Sequence, residues 1–184
     1  MSVSDREIMG AVAAVEPELL ELLSSLVEAP TTLGNEEPGQ VVMADAFGDV
    51  LGLKPVDVLM DAELLRSHQR AAPFDWDVAG KRNVVADWPA RGGTGRSLVL
   101  NGHVDVVGPA SERLWHTPPF SAVRDGEWLY GRGSGDMKAG LAAMVGAIAG
   151  LQRLGSRAAR AGATAVGRRG GVRRERGAAV RAPS

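Results

Sequence analysis

The chain has 184 residues, of which 45% are hydrophobic and 23% charged, with a net charge of −1 and no cysteine. This composition is typical of one soluble globular domain, and the lack of cysteine excludes disulfide bonds, thiolate metal sites and cysteine nucleophiles. No apolar run approaches the ~18 residues of a membrane span, and the N-terminus lacks a secretory signal pattern, so we expect a cytoplasmic protein.

The N-terminal part predicts helical structure. Apolar residues recur at spacings of three or four over residues 4–29, as on one face of a helix. Ser4 or Asp5 is a candidate N-cap, and Pro30 ends the helix. Pro17 predicts a kink or the start of a second helix.

Beyond this region, predicted helices and strands alternate. A polar loop, in which Glu36 and Glu37 form a solvated helix start, precedes a short helix with Gly52 near its end. Valine- and leucine-rich stretches predict strands, and an Ala-, Leu- and Met-rich stretch predicts a helix. The predicted strands are 54–60, 83–89, 97–107 and a short one within 125–133, the turn is 90–96, and the helix is 137–155. Such alternation predicts an α/β layer with a partly parallel sheet.

The C-terminal tail differs in composition. Nine arginines and one acid, Glu175, lie in residues 151–184, so residues 1–150 carry a net charge of −9. Residues 155–184 have few large aliphatic side chains and no helical or strand period, which predicts a disordered basic tail. Charge asymmetry of this kind can also indicate nucleic-acid binding.

The strand predicted at 97–107 carries two polar residues of chemical interest. His103 and Asp105 are one residue apart, so their side chains share a face of the strand. They lie toward the carboxyl end, where α/β sheets place ligand sites. A neutral imidazole can bind a metal, and a nearby carboxylate can fix its tautomer. The alternative is that both side chains are hydrogen-bonded to the local backbone.

A second polar element, "LYGRGSGDMKAG", opens the last predicted helix. Gly131, Gly133 and Gly135 predict a tight path into Asp136, whose charge the helix N-terminus favours. The alternative role for Asp136 is a simple N-cap. The glycine spacing fits neither a phosphate-binding loop nor a dinucleotide fingerprint.

Together, "GHVDVV", "WHTPPF" and "DGEWLYGRGSGDMKAG" resemble the co-catalytic zinc hydrolase family of acetylornithine deacetylase and succinyl-diaminopimelate desuccinylase, with aminoacylase and glutamate carboxypeptidase as relatives. The resemblance covers residues 5–154, and His103 and Asp136 stand 33 positions apart. It implies an α/β fold in which residues 1–154 form the N-terminal part of a zinc-peptidase-like catalytic domain. That domain has a mixed, largely parallel sheet flanked by helices, and residues 155–184 form the disordered tail.

The resemblance also implies roles for residues. His103 would bind one metal, and Asp136 would bridge two metals and precede a cis peptide bond. Asp105 would be the catalytic-site carboxylate that orients and polarises a ligand. Histidine and carboxylate ligands suit Zn²⁺, Co²⁺ or Mn²⁺, and the implied reaction is hydrolysis of the amide bond of an N-acyl amino acid or small peptide. We interpret His116 as an exposed loop histidine, and Lys138 and Arg132 as structural charges.

The family completes its site with residues further along the chain. These are a Glu-Glu pair that gives the general base and a metal ligand, another acid and a histidine, together with a lid domain that mediates dimerisation. After Asp136 this sequence has Glu175 as its one acid, and no histidine follows His116. We therefore expect a truncated, inactive hydrolase that does not dimerise in the family's manner. The Arg/Gly/Ala-rich tail resembles the out-of-frame translation of a GC-rich gene.

Two other functions stay open at this point. One is a non-catalytic fragment that binds a metal or a partner. The other is weak, non-specific nucleic-acid binding by the basic tail, which we do not expect to be the main role. The missing C-terminal part also predicts exposed strand edges and an exposed helix face that includes Leu141, Met144, Val145 and Ile148.

Overall fold

A computed structural model describes residues 3–69, 74–89, 97–155, 162–167 and 179–181, so the turn predicted at 90–96 lies outside the described residues. The helices are α1 (Asp5–Ala13), α2 (Glu16–Glu28), α3 (Glu37–Asp49), α4 (Ala62–Ser67) and α5 (Ala139–Arg153), with short helical turns at Glu112–Leu114 and Ser134–Lys138. The strands are β1 (Pro55–Leu59), β2 (Arg82–Trp88), β3 (Val99–His103), β4 (Val123–Asp125), β5 (Trp128–Tyr130), β6 (Gly162–Gly167) and β7 (Ala179–Arg181). None of the helices described here is long and apolar enough to cross a membrane.

Proline and capping residues divide the N-terminal region as the sequence predicts. Ser4 caps α1, because its hydroxyl accepts the backbone N–H of Glu7 while the Glu7 carboxylate accepts the backbone N–H of Ser4. Pro17 lies in the first turn of α2, where a missing N–H leaves no helical hydrogen bond unmade. The chain leaves α2 before Pro30, and Ala29 is its C-cap.

The main sheet is mixed, as predicted, and has the strand order β1-β2-β6-β3. β1 pairs with β2, and β2 with β6, in antiparallel fashion, while β3 and β6 are parallel. Parallel pairing is therefore a smaller share of this sheet than predicted, because the connection between β1 and β2 returns the chain in the opposite direction. A second small sheet has the order β4-β5-β7.

The tail that the sequence predicts to be disordered contributes β6 and β7. β6 occupies the slot between β2 and β3, where the two neighbouring strands present backbone N–H and C=O groups. Backbone pairing needs few particular side chains, and the β-branched Thr164 and Val166 suit a strand. The rest of the predicted disordered tail, residues 156–161, 168–178 and 182–184, lies outside the described residues.

The hydrophobic core lies between the helices and one face of the main sheet. α3 packs on β1 and β2, α5 packs on β3, and α2 packs against both helices. Leu141 and Val145 are fully buried and Ile148 is nearly so. The predicted exposure of this face of α5 is therefore wrong, because α1, α2 and β3 cover it, and Met144 is partly buried as well.

Exposed apolar side chains lie instead on the opposite face of the sheet. Val56 and Val58 of β1 are 53% and 47% exposed, and Val99 of β3 is 61% exposed. The register of β1 with β2 sets Val56 opposite Val85 and Asp57 opposite the fully buried Val84, so the valines of β1 point away from the helices. The described part of the chain thus covers one face of its sheet.

A buried ion pair fixes the start of α3 to β2. Glu36 is only 4% exposed, and its carboxylate accepts Lys81 Nζ at 2.6 Å and the Gly34 N–H at 2.7 Å. Burial alone would raise the pKa of Glu36, but these hydrogen bonds and the charge of Lys81 lower it below its usual value. The predicted solvated helix start is thus correct for the exposed Glu37 and wrong for Glu36.

We expect Glu36→Gln to lower the free energy of unfolding by about 1–3 kcal/mol at neutral pH, because a charge-assisted hydrogen bond is lost at a buried site. A carboxylate whose pKa is lowered by folding stabilises the protein above its unfolded pKa and loses that contribution as pH falls through its folded pKa. The difference between wild type and Glu36→Gln should therefore shrink in acid.

Urea unfolding at a series of pH values from 7 to 3 measures this difference. Glu21→Gln, on the exposed side of α2, is the matched control and should change stability little at any pH. A stability difference for Glu36→Gln that stays constant across the series would contradict the expected linkage.

Candidate metal centre

The imidazole of His103 stands at the carboxyl end of β3. This strand ends at His103, where the ladder pairs it with Gly167 of the parallel strand β6. The side chain is 12% exposed, so most of the ring is enclosed by protein. The prediction that the strand continues through Asp105 to Val107 is wrong, because β3 stops two residues before Asp105.

Asp136 lies in the turn that precedes α5. Gly133 opens this turn with φ +82°, a conformation that glycine adopts without strain, and a Cβ there would overlap Val106. The peptide bond between Asp136 and Met137 is cis, as the family resemblance implies. α5 begins at Ala139 with Lys138 at the N-cap position, so Asp136 is not the cap of this helix.

The two predicted ligands converge on one point. His103 Nε2 and Asp136 Oδ1 are 3.3 Å apart. Two ligand atoms that share a tetrahedral Zn²⁺, at ~2.0–2.1 Å each, lie about 3.3 Å from one another. The donor types and their separation therefore both fit a shared zinc ion.

Asp105 faces the other nitrogen of the same ring. His103 Nδ1 lies 2.9 Å from the backbone carbonyl oxygen of Asp105 and 3.5 Å from its Oδ1. The local backbone contact that we considered as an alternative is therefore present, but it engages Nδ1 only. A proton on Nδ1 donated to that carbonyl leaves Nε2 of a neutral ring free to act as a ligand.

The surroundings of His103 favour its protonated form. Burial alone would lower the pKa of His103, but the hydrogen bonds and charge of Asp105, together with the charge of Asp136, raise it above its ordinary value. Because a ring that must bind a metal has to lose its second proton, protons compete with metal for Nε2 at acid pH.

Two other charged residues near the site are buried. Lys138 is fully buried, and its Nζ donates to the backbone carbonyl of Ala29 at 2.9 Å, while burial lowers its pKa to about 7. Arg132 is 8% exposed, with its guanidinium carbon 4.7 Å from the centre of the Trp115 ring. His116, in contrast, is exposed, as predicted.

The described part of the chain does not supply a complete metal centre. Within it, no three His, Cys, Asp or Glu side chains form a group that could hold an ion. His103 Nε2 and Asp136 Oδ1 meet at the shared point, and Asp105 lies against Nδ1.

Thr31 is a residue at the site that sequence reasoning missed. It is fully buried, and its hydroxyl donates to the carbonyl oxygen of Val104, between His103 and Asp105. The two residues are 73 positions apart. A threonine in a polar loop carries no local pattern that would indicate so distant a partner.

Comparison with known proteins confirms the resemblance. Residues 99–164, which include His103 and Asp136, match the model of peptidase family M20/M25/M40. Succinyl-diaminopimelate desuccinylase of Coxiella burnetii (strain RSA 493 / Nine Mile phase I) is 35% identical over 128 residues, which are 70% of this chain and 28% of that enzyme. The desuccinylase of Paracoccus denitrificans is 31% identical over 138 residues, which are 73% and 30% of the two chains.

Solved structures show the same fold. A di-peptidase from Saccharomyces cerevisiae, Dug1p, aligns with a TM-score of 0.65 at 16% identity over 91% of this chain and 35% of its own. The M20 family metallo-carboxypeptidase Sso-CP2 from Sulfolobus solfataricus aligns with a TM-score of 0.62 at 19% identity over 82% and 30%. At such identities the likeness establishes the fold alone.

The match covers only part of each relative. This chain spans less than a third of the length of the desuccinylases from Coxiella and Paracoccus. The matched region nevertheless contains the converging His103 and Asp136 and the cis peptide bond that follows Asp136. By these matches, residues 99–164 are similar to a domain of peptidase family M20/M25/M40, and the relatives indicate a family of hydrolytic enzymes.

Proposed function

We propose that the sequence encodes part of a metal-dependent amidohydrolase of the acetylornithine deacetylase and succinyl-diaminopimelate desuccinylase type. The observation that carries this proposal is the 3.3 Å separation of His103 Nε2 and Asp136 Oδ1, because it fits two donors of one zinc ion. The desuccinylase relatives support a small N-acyl amino acid or peptide as the substrate class.

Each site residue has a defined part in this proposal. His103 would hold one metal through Nε2, and Asp136 would supply the carboxylate that the family resemblance implies is shared by two metals. Asp105 holds the His103 ring in place from the Nδ1 side, where its backbone carbonyl accepts the ring proton. When bound, a pair of zinc ions, with Co²⁺ or Mn²⁺ as substitutes, supplies Lewis-acid activation of water and of the scissile carbonyl.

We further propose that this chain does not catalyse the reaction. β6 ends at Gly167 beside His103, and parallel strands deliver their carboxyl ends to the same edge of a sheet. The next residues in the sequence are Arg168 and Arg169, and Glu175 is the one acid after Asp136. The Glu-Glu pair that the family resemblance requires for a general base and a metal ligand is therefore lacking in the sequence.

The small-molecule substrate follows from the family, whereas nucleic acid and membrane are not part of this proposal. Dimerisation in the family's manner is not part of this proposal either. The cytoplasmic location stays a prediction.

Zinc or cobalt titration of the purified chain tests the metal centre. We expect weak, saturable binding that His103→Gln and Asp136→Asn each weaken at least about tenfold, equivalent to about 1.4 kcal/mol. His116→Gln removes an exposed histidine away from the two ligands and should leave the affinity unchanged. Binding that is equally strong in His103→Gln would overturn the proposed metal site.

Hydrolysis assays with N-succinyl and N-acetyl amino acids in added Zn²⁺ or Co²⁺ test the second proposal. Loss of a general base alone typically lowers rates by about 10²- to 10⁴-fold, and loss of ligands lowers them further, so we expect no turnover above the metal-only control. Robust turnover that disappears in Asp136→Asn would overturn the proposed inactivity and support the hydrolase assignment.

We also propose that residues 155–184 are an out-of-frame segment. Their composition of mostly Arg, Ala, Gly, Val and Ser matches GC-rich codons read in a shifted frame. An arginine-rich arm for nucleic acid is the competing explanation, since arginines bind phosphates without sequence preference.

Independent resequencing of the gene from the codon of Leu151 onward, translated in all three frames, tests the origin of the tail. We expect another frame to encode a Glu-Glu pair and, later, a histidine. If no frame restores them, the out-of-frame proposal is wrong, and salt-dependent retention on DNA then becomes the measurement that tests the competing explanation.

A further inference from the structure

The segment Ala29–Thr32, which we call the tether, touches both halves of the candidate metal centre. It follows α2 and runs beside the residues that come after β3, with Thr32 and Val106 forming a parallel bridge. The Val106 N–H donates to the Thr31 carbonyl at 2.8 Å. On its other side, the Ala29 carbonyl accepts Lys138 Nζ from the turn that carries Asp136.

Thr31 makes the contact nearest to the predicted ligands. Its hydroxyl donates to the Val104 carbonyl oxygen at 2.5 Å. The Val104 carbonyl belongs to the peptide plane that joins Val104 to Asp105, so its direction fixes the plane from which Asp105 projects, directly after His103 and Val104. The next backbone hydrogen bond, from Val106 to Thr31, holds the chain just past Asp105.

Burial makes these hydrogen bonds hard to replace. Thr31, Val104 and Lys138 are fully buried, and Val106 is 6% exposed. Water therefore has no access to take over a lost partner, and an unpaired carbonyl in such a place favours a shift of the backbone.

Packing also restricts the rotamer of Thr31. A Cβ at Gly39 would overlap the Thr31 methyl group and touch Val104. The methyl group therefore fills the space beside α3 while the hydroxyl points at the Val104 carbonyl. Valine can keep this shape without the hydroxyl, and serine can keep the hydroxyl without the methyl group.

We propose that Thr31 is a positioning residue that sets the His103–Asp105 pair relative to Asp136, with the Lys138–Ala29 hydrogen bond as the matching support of the Asp136 turn. Its consequence for metal affinity rests on the proposed function, since that function makes His103 and Asp136 ligands of one ion. The hydrogen bonds that support the positioning role are made by protein groups alone.

The first experiment is free of metal. NMR spectra of the His103 ring and of the Asp105 and Val106 amides are compared between wild type, Thr31→Val and Thr31→Ser. We expect Thr31→Val to shift these signals and to speed amide hydrogen exchange at Val106, and Thr31→Ser to stay close to wild type. Thr32→Val is the neighbouring control and should leave the His103 ring signals in place.

The second experiment titrates Co²⁺ alone and records its visible spectrum, which reports ligand geometry. We expect Thr31→Val to weaken Co²⁺ binding by about 10-fold, the lower end of the loss that follows removal of a residue supporting a metal ligand, and to alter the spectrum. Thr31→Ser should restore both. Leu23→Ala, a core truncation in α2, controls for general loss of stability and should leave the affinity of the folded protein unchanged.

The outcomes separate this proposal from the proposed function. Unchanged His103 and Val106 signals in Thr31→Val overturn the positioning role, whatever the metal result. If Thr31→Val shifts these signals but the wild-type chain binds no Co²⁺, the positioning role is supported and the metal site is overturned. Equal loss of affinity in Thr31→Val and Leu23→Ala reduces the effect to stability and also overturns the proposal.

Discussion

The candidate site depends on the close approach of α5 to β3 at Gly102. A Cβ at this position would overlap Leu141, Met137 and Met144, so the bare glycine backbone lets the turn and the first part of α5 lie directly on the strand. That contact brings Asp136 to within 3.3 Å of His103, one residue beyond Gly102. A side chain at Gly102 would require the ends of the Leu141, Met137 and Met144 side chains to move, in a region where packing is close.

Electrostatics then explain why this contact favours a cation. Asp105 and Asp136 face the two nitrogens of a single imidazole that is only 12% exposed. Burial lowers the pKa of His103, but the hydrogen bonds and charge of Asp105 and the charge of Asp136 outweigh it and raise that pKa above its ordinary value. A divalent ion between Nε2 and Asp136 would replace the proton on Nε2 and supply more positive charge. The site is therefore arranged for a cation even though the described residues do not complete its coordination.

The sequence predicted most of the local structure because local physics decides it. The cap at Ser4, the helix boundary at Pro17 and the Ala-, Leu- and Met-rich composition of α5 each depend on residues within one short segment. His103 and Asp136 could also be chosen from the sequence, because each belongs to a compact motif. The burial of Glu36 and the contact of Thr31 with Val104 could not, since their partners lie 45 and 73 positions away. The end of β3 at His103 was missed because apolar residues continue to Val107, whereas the tether draws the backbone out of the ladder at Val106.

The tail separates what a fold requires from what a catalytic site requires. β6 fills the slot between β2 and β3 through backbone hydrogen bonds, which nearly any residue except proline can make. A segment without a selected side-chain pattern can therefore still complete a ladder, as the proposed out-of-frame origin of the tail requires. A general base and a metal ligand, in contrast, need carboxylates at defined positions, and the sequence that follows Gly167 has arginines. The sheet itself is only partly covered: the exposed valines of β1 and β3 lie on the face that the helices of the described chain leave open. The sheet of this fold therefore continues as far as β6, whereas the last predicted site residue is Asp136.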